Sequence, residues 1–150
     1  MSAETDLIKL YSGRILSMAA NIPRTGRLEA PDASVTRRSP LCGSTVTVDL
    51  NMADGRVSDF AQDVKACALG QAAAAVVGDA VIGRTPAELH AAAAGLRAML
   101  KDGGPVPATP WDGFEVLEPA RDYRNRHASI LLAIEAAAEA AEHAEVRASA

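Results

Sequence analysis

Two cysteines and one of three histidines are the residues of this 150-residue chain whose types and sequence neighbours suit metal or sulfur chemistry. Cys42 lies in the run Ser-Pro-Leu-Cys-Gly-Ser over residues 39–44, Cys67 opens an alanine-rich stretch, and His127 ends an Arg-x-Arg-His run. Thiolates and neutral imidazole are the ligands that suit zinc, iron and iron–sulfur clusters. Three such ligands leave one coordination position open, as a site that accepts and releases something requires.

The two cysteines also have a simpler interpretation. Free cysteine is among the most buried residue types, so both side chains could be small members of a core. The 24 residues that separate Cys42 from Cys67 match no compact zinc motif. Cys67 is predicted to be the better thiolate, because the dipole at a helix N-terminus stabilises negative charge. The spacing alone leaves a metal site and a buried pair both open.

The three histidines differ in their neighbours. His90 lies early in a predicted helix and His143 lies on an acidic helical face, so both are expected at the surface. His127 instead follows three arginines within residues 121–126. Cations near an anionic thiolate or cluster would lower its energy, although a basic run can equally be a solvated face. We interpret this run as a docking or charge-balancing surface.

Composition excludes several classes of function. The net charge is −4, and aromatic residues make up only 3% of the chain, which argues against a nucleic-acid surface. No apolar run approaches the length of a membrane span, and no secretory signal is visible at the N-terminus. Two cysteines cannot form a disulfide framework. We therefore expect one cytoplasmic domain over residues 1–150, with residues 1–4 and 147–150 frayed.

The elements that position these residues follow from periodicity. Apolar residues at helical spacing predict helices over residues 5–21, 67–82, about 85–100 and 123–146, with a short helical turn over 111–117. Alternation from Thr45 and the turn signal Asp54-Gly55 predict a hairpin whose second strand covers residues 56–64. A short edge strand is expected near Val35. The order predicts an α+β fold, in which helices cover one face of a small antiparallel sheet of about three strands.

Several short motifs occur in a fixed order along the chain. They are Leu10-Tyr11-Ser12, Pro40-Leu41-Cys42-Gly43, Asp54-Gly55, Ala66-Cys67, Gly83-Arg84-Thr85 and the basic segment that enters the last helix. In this order they resemble the NifU N-terminal domain family of iron–sulfur cluster assembly scaffolds, which includes IscU and SufU. The resemblance covers about residues 7–141.

The chain departs from that family's pattern at its motifs. Ser44 stands where the family's first turn has aspartate, and Ala66 replaces the glycine before the second cysteine. The third cysteine is missing. Alignment on the Arg-x-x-Cys form of the SufU type puts His127 in its place, and alignment on the His-Cys-Ser-Ile-Leu form of the IscU type puts Ala128 there. The segment that the IscU type presents to its chaperone is not intact.

The resemblance implies a scaffold or carrier rather than a turnover enzyme. It implies that Cys42, Cys67 and His127 bind a [2Fe–2S] cluster, iron or zinc, with Ser44 as a weak fourth contact. The implied partners are a cysteine desulfurase and apo iron–sulfur client proteins, and a homodimer is a further option. Two alternatives remain: a zinc-dependent persulfide acceptor of the SufU type, and a degenerate member whose fold serves only protein–protein contact.

Overall fold

A computed structural model describes residues 11–40 and 42–149. Its elements are α1 (Gly13–Ala20), β1 (Ala33–Arg38), β2 (Thr45–Ala53), β3 (Arg56–Lys65), α2 (Ala68–Ala80), α3 (Pro86–Lys101), a 3₁₀ helix (Asp112–Asp122) and α4 (Arg124–Ser149). The predicted α+β fold with a three-stranded antiparallel sheet is confirmed. No helix within the described ranges is long and apolar enough to cross a membrane.

The sheet has the order β1-β2-β3, with β2 in the centre. Asp54 and Gly55 join β2 to β3 with φ angles of 54° and 76°, as a tight hairpin turn requires. The edge strand expected near Val35 is present and six residues long, and Val35 pairs with Val48. Thr45 pairs with Lys65, so the chain enters β2 and leaves β3 at the same end of the sheet.

Helix α4 lies at the centre of the core and packs against β1, β2, α2 and α3. The residues predicted to face inward are all buried: Ile130, Leu131, Ile134, Ala138 and Ala141. The helix continues to Ser149, and the fraying expected over residues 147–150 stays a prediction. One contact that holds this end is the hydrogen bond from the Arg147 guanidinium to the Asp32 carbonyl.

The helix starts follow their capping residues. Helix α1 begins at Gly13, because the Ser12 hydroxyl accepts a hydrogen bond from the Ile15 amide at 3.3 Å. The part of the predicted first helix over residues 5–10, and residues 1–4, which are expected to fray, lie outside the described residues. Helix α3 has a complete capping box, in which Thr85 and Glu88 each bond the other's backbone amide at 3.1 Å.

The 3₁₀ helix is longer than the helical turn predicted over residues 111–117. Its buried residues are Phe114, Leu117 and Ala120, which recur at every third position. A period of three places these side chains on one face of a 3₁₀ helix, whereas an α-helix would rotate them apart. This face packs against α2 and α3, and the segment ends just before α4 begins.

Asp49 in β2 is fully buried, although its place in the alternation puts it on the polar face. Arg27 binds both of its carboxylate oxygens, at 2.7 and 3.1 Å, and Ser34 and the Leu28 amide donate two further hydrogen bonds. Burial alone would raise the pKa of Asp49, but these hydrogen bonds outweigh it and hold the pKa below its ordinary value. Asp49 therefore fastens the loop before β1 to the sheet.

Candidate functional site

Cys42 and Cys67 lie in one shallow cleft at the end of the sheet where β2 begins and β3 ends. The cleft has a volume of about 350 Å³ and is lined by Cys42, Gly43, Ser44, Lys65, Ala66, Cys67 and Arg126. The Cys42 side chain is exposed and that of Cys67 is half-buried. Cys42 precedes β2 and Cys67 follows β3, so the hairpin register brings the two thiols to the same cleft.

Serine hydroxyls connect the two sulfur atoms. Cys42 Sγ lies 3.1 Å from Ser44 Oγ and 3.3 Å from Ser39 Oγ. Ser129 of α4 donates a hydrogen bond to Ser44 at 2.9 Å, and its hydroxyl lies 3.4 Å from Cys67 Sγ. A continuous chain of polar contacts therefore runs from one thiol to the other, through Ser44 and Ser129.

The turn that carries Cys42 is held by its own backbone. The Ser39 amide donates to the Ser44 carbonyl at 2.8 Å, and the Gly43 amide donates to the Ser39 carbonyl at 3.0 Å. Gly43 has a φ of 71°, a conformation that glycine adopts at no steric cost. This closure fixes both hydroxyls beside the Cys42 sulfur.

These hydroxyls change the acidity of Cys42. Side-chain hydrogen bonding with Ser39 and Ser44 favours the thiolate and outweighs the opposing effect of burial, so the pKa of Cys42 falls to about 7. The sequence favoured Cys67 as the thiolate, and its backbone does cap helix α2. In the structure, the hydrogen bonds that stabilise a thiolate are those between Cys42 and the hydroxyls of Ser39 and Ser44.

We expect Cys42 to react with iodoacetamide in a pH-dependent way that reports this environment. The thiolate is the reacting form, so in a Cys67→Ser background the rate should rise with a midpoint near pH 7. In Ser44→Ala the midpoint should move upward, toward the ordinary thiol value of about 8.5, because one stabilising hydroxyl is lost. Rates measured by mass spectrometry between pH 5 and about 10 test this. An unchanged midpoint in Ser44→Ala would contradict it.

His127 does not lie with the two cysteines. Its ring is 1% exposed, and Nε2 lies 2.9 Å from the Ala120 carbonyl oxygen and 3.1 Å from that of Arg121. Carbonyl oxygens only accept hydrogen bonds, so Nε2 carries the proton and faces the end of the 3₁₀ helix. The ring lines a separate cavity of about 160 Å³, whose other walls are Leu100, Lys101, Arg121 and Arg124.

The structure therefore brings two of the three expected ligands, Cys42 and Cys67, into one cleft and places His127 in another cavity. Within residues 11–40 and 42–149, no three or more His, Cys, Asp or Glu side chains are grouped so that they could hold a metal ion. His90 and His143 are exposed, as predicted. Nδ1 of His127 is buried and has no hydrogen-bond partner among the described residues.

Sequence reasoning missed the parts of Ser39 and Ser129 in this site. One signal for Ser129 was available, because a serine buried in the apolar face of α4 requires a polar partner. Gly70 in α2 supplies the space for it: a Cβ there would lie 2.7 Å from Ser129 Oγ and 2.9 Å from Ala66 Cβ. The glycine thus lets α4 bring its hydroxyl close to Cys67.

Gly70→Ala and Gly95→Ala should have opposite effects on stability. Both glycines are helical, but a methyl group at Gly95 would meet only Pro107, at an ordinary 3.5 Å. We expect Gly70→Ala to lower the free energy of unfolding by about 1–2 kcal/mol through overpacking. Gly95→Ala should raise it by about 0.5–1 kcal/mol through helix propensity. Urea denaturation measures both changes, and stabilisation by Gly70→Ala would refute the close packing of Ser129.

Comparisons with known proteins agree with this fold. The family described as "NifU-like N terminal domain" matches residues 10–106. A crystal structure of a nitrogen-fixing NifU-like protein (N-terminal) from Brucella abortus is 48% identical, with a TM-score of 0.91 over 95% of this chain and 99% of that one.

Two more distant structures share the fold alone. A protein described as an iron–sulfur cluster assembly scaffold for the SUF system of Fervidobacterium islandicum AW-1 is 19% identical, with a TM-score of 0.79 over 89% of this chain and 98% of that one. A hypothetical protein solved at 2.3 Å is 24% identical, with a TM-score of 0.79 over 90% of this chain and 98% of that one. No curated protein sequence matches the chain significantly. The family match covers more than half of the residues, and the chain belongs to the NifU-like N-terminal domain family.

Proposed function

We propose that this protein is a cytoplasmic scaffold or carrier in iron–sulfur cluster assembly, and that Cys42 and Cys67 hold the iron and sulfide it carries. The observation that carries the proposal is the placement of both thiols in one open cleft. Membership of the NifU-like family supports it, and the SUF-system protein with the same fold is described as such a scaffold. Thiolates are the ligands that iron–sulfur clusters use.

The cleft supplies only some of the ligands that an iron–sulfur cluster needs. A [2Fe–2S] cluster is ordinarily held by four cysteine thiolates, and this cleft offers two. Ser44 and Ser129 are engaged in hydrogen bonds between the thiols, and a neutral hydroxyl is a poor ligand for these metals. The remaining ligands would come from a small thiol, from a partner protein or from a second copy of the chain. Incomplete ligation suits a protein that must release what it binds.

The proposed mechanism is ligand exchange. Cys42 is the first ligand, because its lowered pKa makes the thiolate available near neutral pH and its side chain is exposed. The Ser44 hydroxyl, 3.1 Å from the Cys42 sulfur, can donate to the free thiolate and can be released when iron takes the sulfur's electron pair. Arg126 lines the cleft and offsets negative charge on the bound cargo. Thiolates of a client protein then displace Cys42 and Cys67 in turn, with no net oxidation of the scaffold.

Anaerobic loading tests this function. The purified protein receives ferrous iron, cysteine and a cysteine desulfurase, and is then separated from small molecules by gel filtration. We expect iron and acid-labile sulfide to elute with the protein, together with a thiolate-to-iron absorption band. Protein that elutes with neither iron nor sulfide would contradict the scaffold function and favour a member that keeps the fold for protein contact alone.

One observation favours a second candidate, acceptance of sulfur from the desulfurase. Cys42 is an exposed thiol with a pKa of about 7, which is the property of a nucleophile toward a persulfide. The Cys42 thiolate would attack the outer sulfur of the desulfurase persulfide, giving a Cys42 persulfide and a free desulfurase thiolate. The zinc-dependent form of this reaction has less support, because the described residues hold no group of three zinc ligands. A gain of one sulfur atom on Cys42 without bound zinc would favour this second candidate.

A further inference from the structure

A second cleft, strongly basic, lies between β1, α3 and α4. Its volume is about 540 Å³, and it is lined by five cationic side chains: Arg37, Arg38, Arg97, Lys101 and Arg124. These are five of only 15 basic residues in a chain whose net charge is −4. The local charge is therefore opposite to that of the whole protein. Leu131, Leu132 and Ala128 give the cleft an apolar floor.

Two of these cations have an ion-pair partner among the described residues. Arg97 pairs with Glu135 at 2.7 Å, and Arg37 pairs with Glu139 at 2.7 Å. Both carboxylates belong to α4, so these pairs fix the walls of the cleft to its floor. Arg38, Lys101 and Arg124 are exposed and form no ion pair within the described part of the chain. The cleft thus carries an excess of three unpaired positive charges.

Arg124 lies at a position where the helix dipole makes a positive charge unfavourable. Arg124 is the first residue of α4, where the positive end of the helix dipole disfavours cations and stabilises anions. A cation at this position costs stability, and its charge adds to that of the dipole. Violations of local preference of this kind are expected at functional sites. Both charges point to an anionic ligand.

The basic cleft borders the thiol cleft. Pro40 lines the basic cleft, whereas Cys42, Gly43 and Ser44 of the same turn line the thiol cleft. A ligand in the basic cleft would therefore lie alongside the turn that carries Cys42. This adjacency distinguishes the cleft from a remote charged patch.

We propose that the basic cleft binds an acidic segment of a partner protein. Carboxylates of the segment pair with Arg38, Lys101 and Arg124, and an apolar side chain between them covers the floor formed by α4. A protein segment is favoured over a small anion because the unpaired cations come from three different elements and the floor is apolar. Docking here would place the partner beside Cys42, so this inference rests on and extends the proposed function. The binding of the segment itself requires no metal and no thiol.

A fluorescein-labelled peptide of eight alternating Glu and Leu residues tests the docking surface by fluorescence anisotropy. We expect it to bind the parent protein at low salt, and to bind about tenfold more weakly when the ionic strength rises from about 0.05 to 0.5 M. The double variant Arg38→Glu/Arg124→Glu should weaken binding by about tenfold or more. Arg14→Glu, which changes an exposed cation of α1 outside the cleft, should change binding less than about twofold.

Two results would overturn the docking surface. One is equal binding of the peptide by the parent and by a folded Arg38→Glu/Arg124→Glu variant, with folding checked by circular dichroism. The other is displacement of the peptide by inorganic phosphate at the concentration of the peptide itself, which would assign the cleft to a small anion. The same titration on Cys42→Ser/Cys67→Ser separates this inference from the cargo function, because the peptide should bind that variant as it binds the parent.

Discussion

Replacing Cys67 with serine should reduce the iron and sulfide retained by this protein by about tenfold or more, and Cys42→Ser should have the same effect. Each substitution removes one of the two thiolates that the thiol cleft contributes, and a hydroxyl does not replace a thiolate as a ligand for iron. The fold should persist, because Cys42 is exposed and serine is a favourable residue at the N-cap position of Cys67. Iron and acid-labile sulfide measured after gel filtration test this.

Ser129→Ala is the matched control for these variants. It removes the hydroxyl that connects Ser44 to Cys67 but leaves both sulfur atoms in place. We expect this variant to retain the iron stoichiometry of the parent. If either cysteine variant kept the parent's iron and sulfide, the two thiols would not be the ligands of one site.

His127→Ala should lower the free energy of unfolding by about 3 kcal/mol while leaving the amount of bound iron unchanged. The substitution empties a buried space in α4 and removes the donor to the carbonyl oxygens of Ala120 and Arg121. These carbonyls belong to the end of the 3₁₀ helix, which lies just before α4. The free energy of unfolding therefore falls because packing and hydrogen bonds between the two helices are lost. Urea denaturation, with iron analysis of the loaded protein, gives both quantities.

His143→Ala provides the comparison on the same helix. His143 is exposed, and its replacement should change neither stability nor iron content. A drop in bound iron for His127→Ala with no loss of stability would show that the imidazole leaves its carbonyls and ligates the metal. That result would restore the three-ligand site predicted from the sequence.

The parts of the fold that the sequence predicted are those set by local signals. The turn at Asp54-Gly55 and the capping box of Thr85 and Glu88 act over two to four residues, and both are present. The sequence predicts only a short helical turn over residues 111–117, whereas the 3₁₀ helix extends to Asp122, and its buried apolar residues recur with the period of three that suits such a helix. The burial of Asp49 depends on Arg27, 22 residues away, and no local pattern reveals such a partner.

In the candidate site, too, some features could be predicted from the sequence and others depend on tertiary contacts. The resemblance implies that Cys42 and Cys67 share one site, and the register of the hairpin brings both to one cleft. The position of His127 depends on how the 3₁₀ helix ends against α4, which is a tertiary contact with no sequence signature. The hydrogen bond between Ser44 and Ser129 joins residues 85 positions apart, so it too appears only in the folded chain.

Native mass spectrometry of the anaerobically loaded protein tests the central claim most directly, because it counts the iron and sulfur atoms on each protein species. The account predicts a species that carries iron and sulfide, either on one chain with an added thiol ligand or bridging two chains, and predicts its absence from Cys42→Ser/Cys67→Ser. A parent protein found only in its bare form, or iron and sulfide carried equally by the double variant, would contradict it.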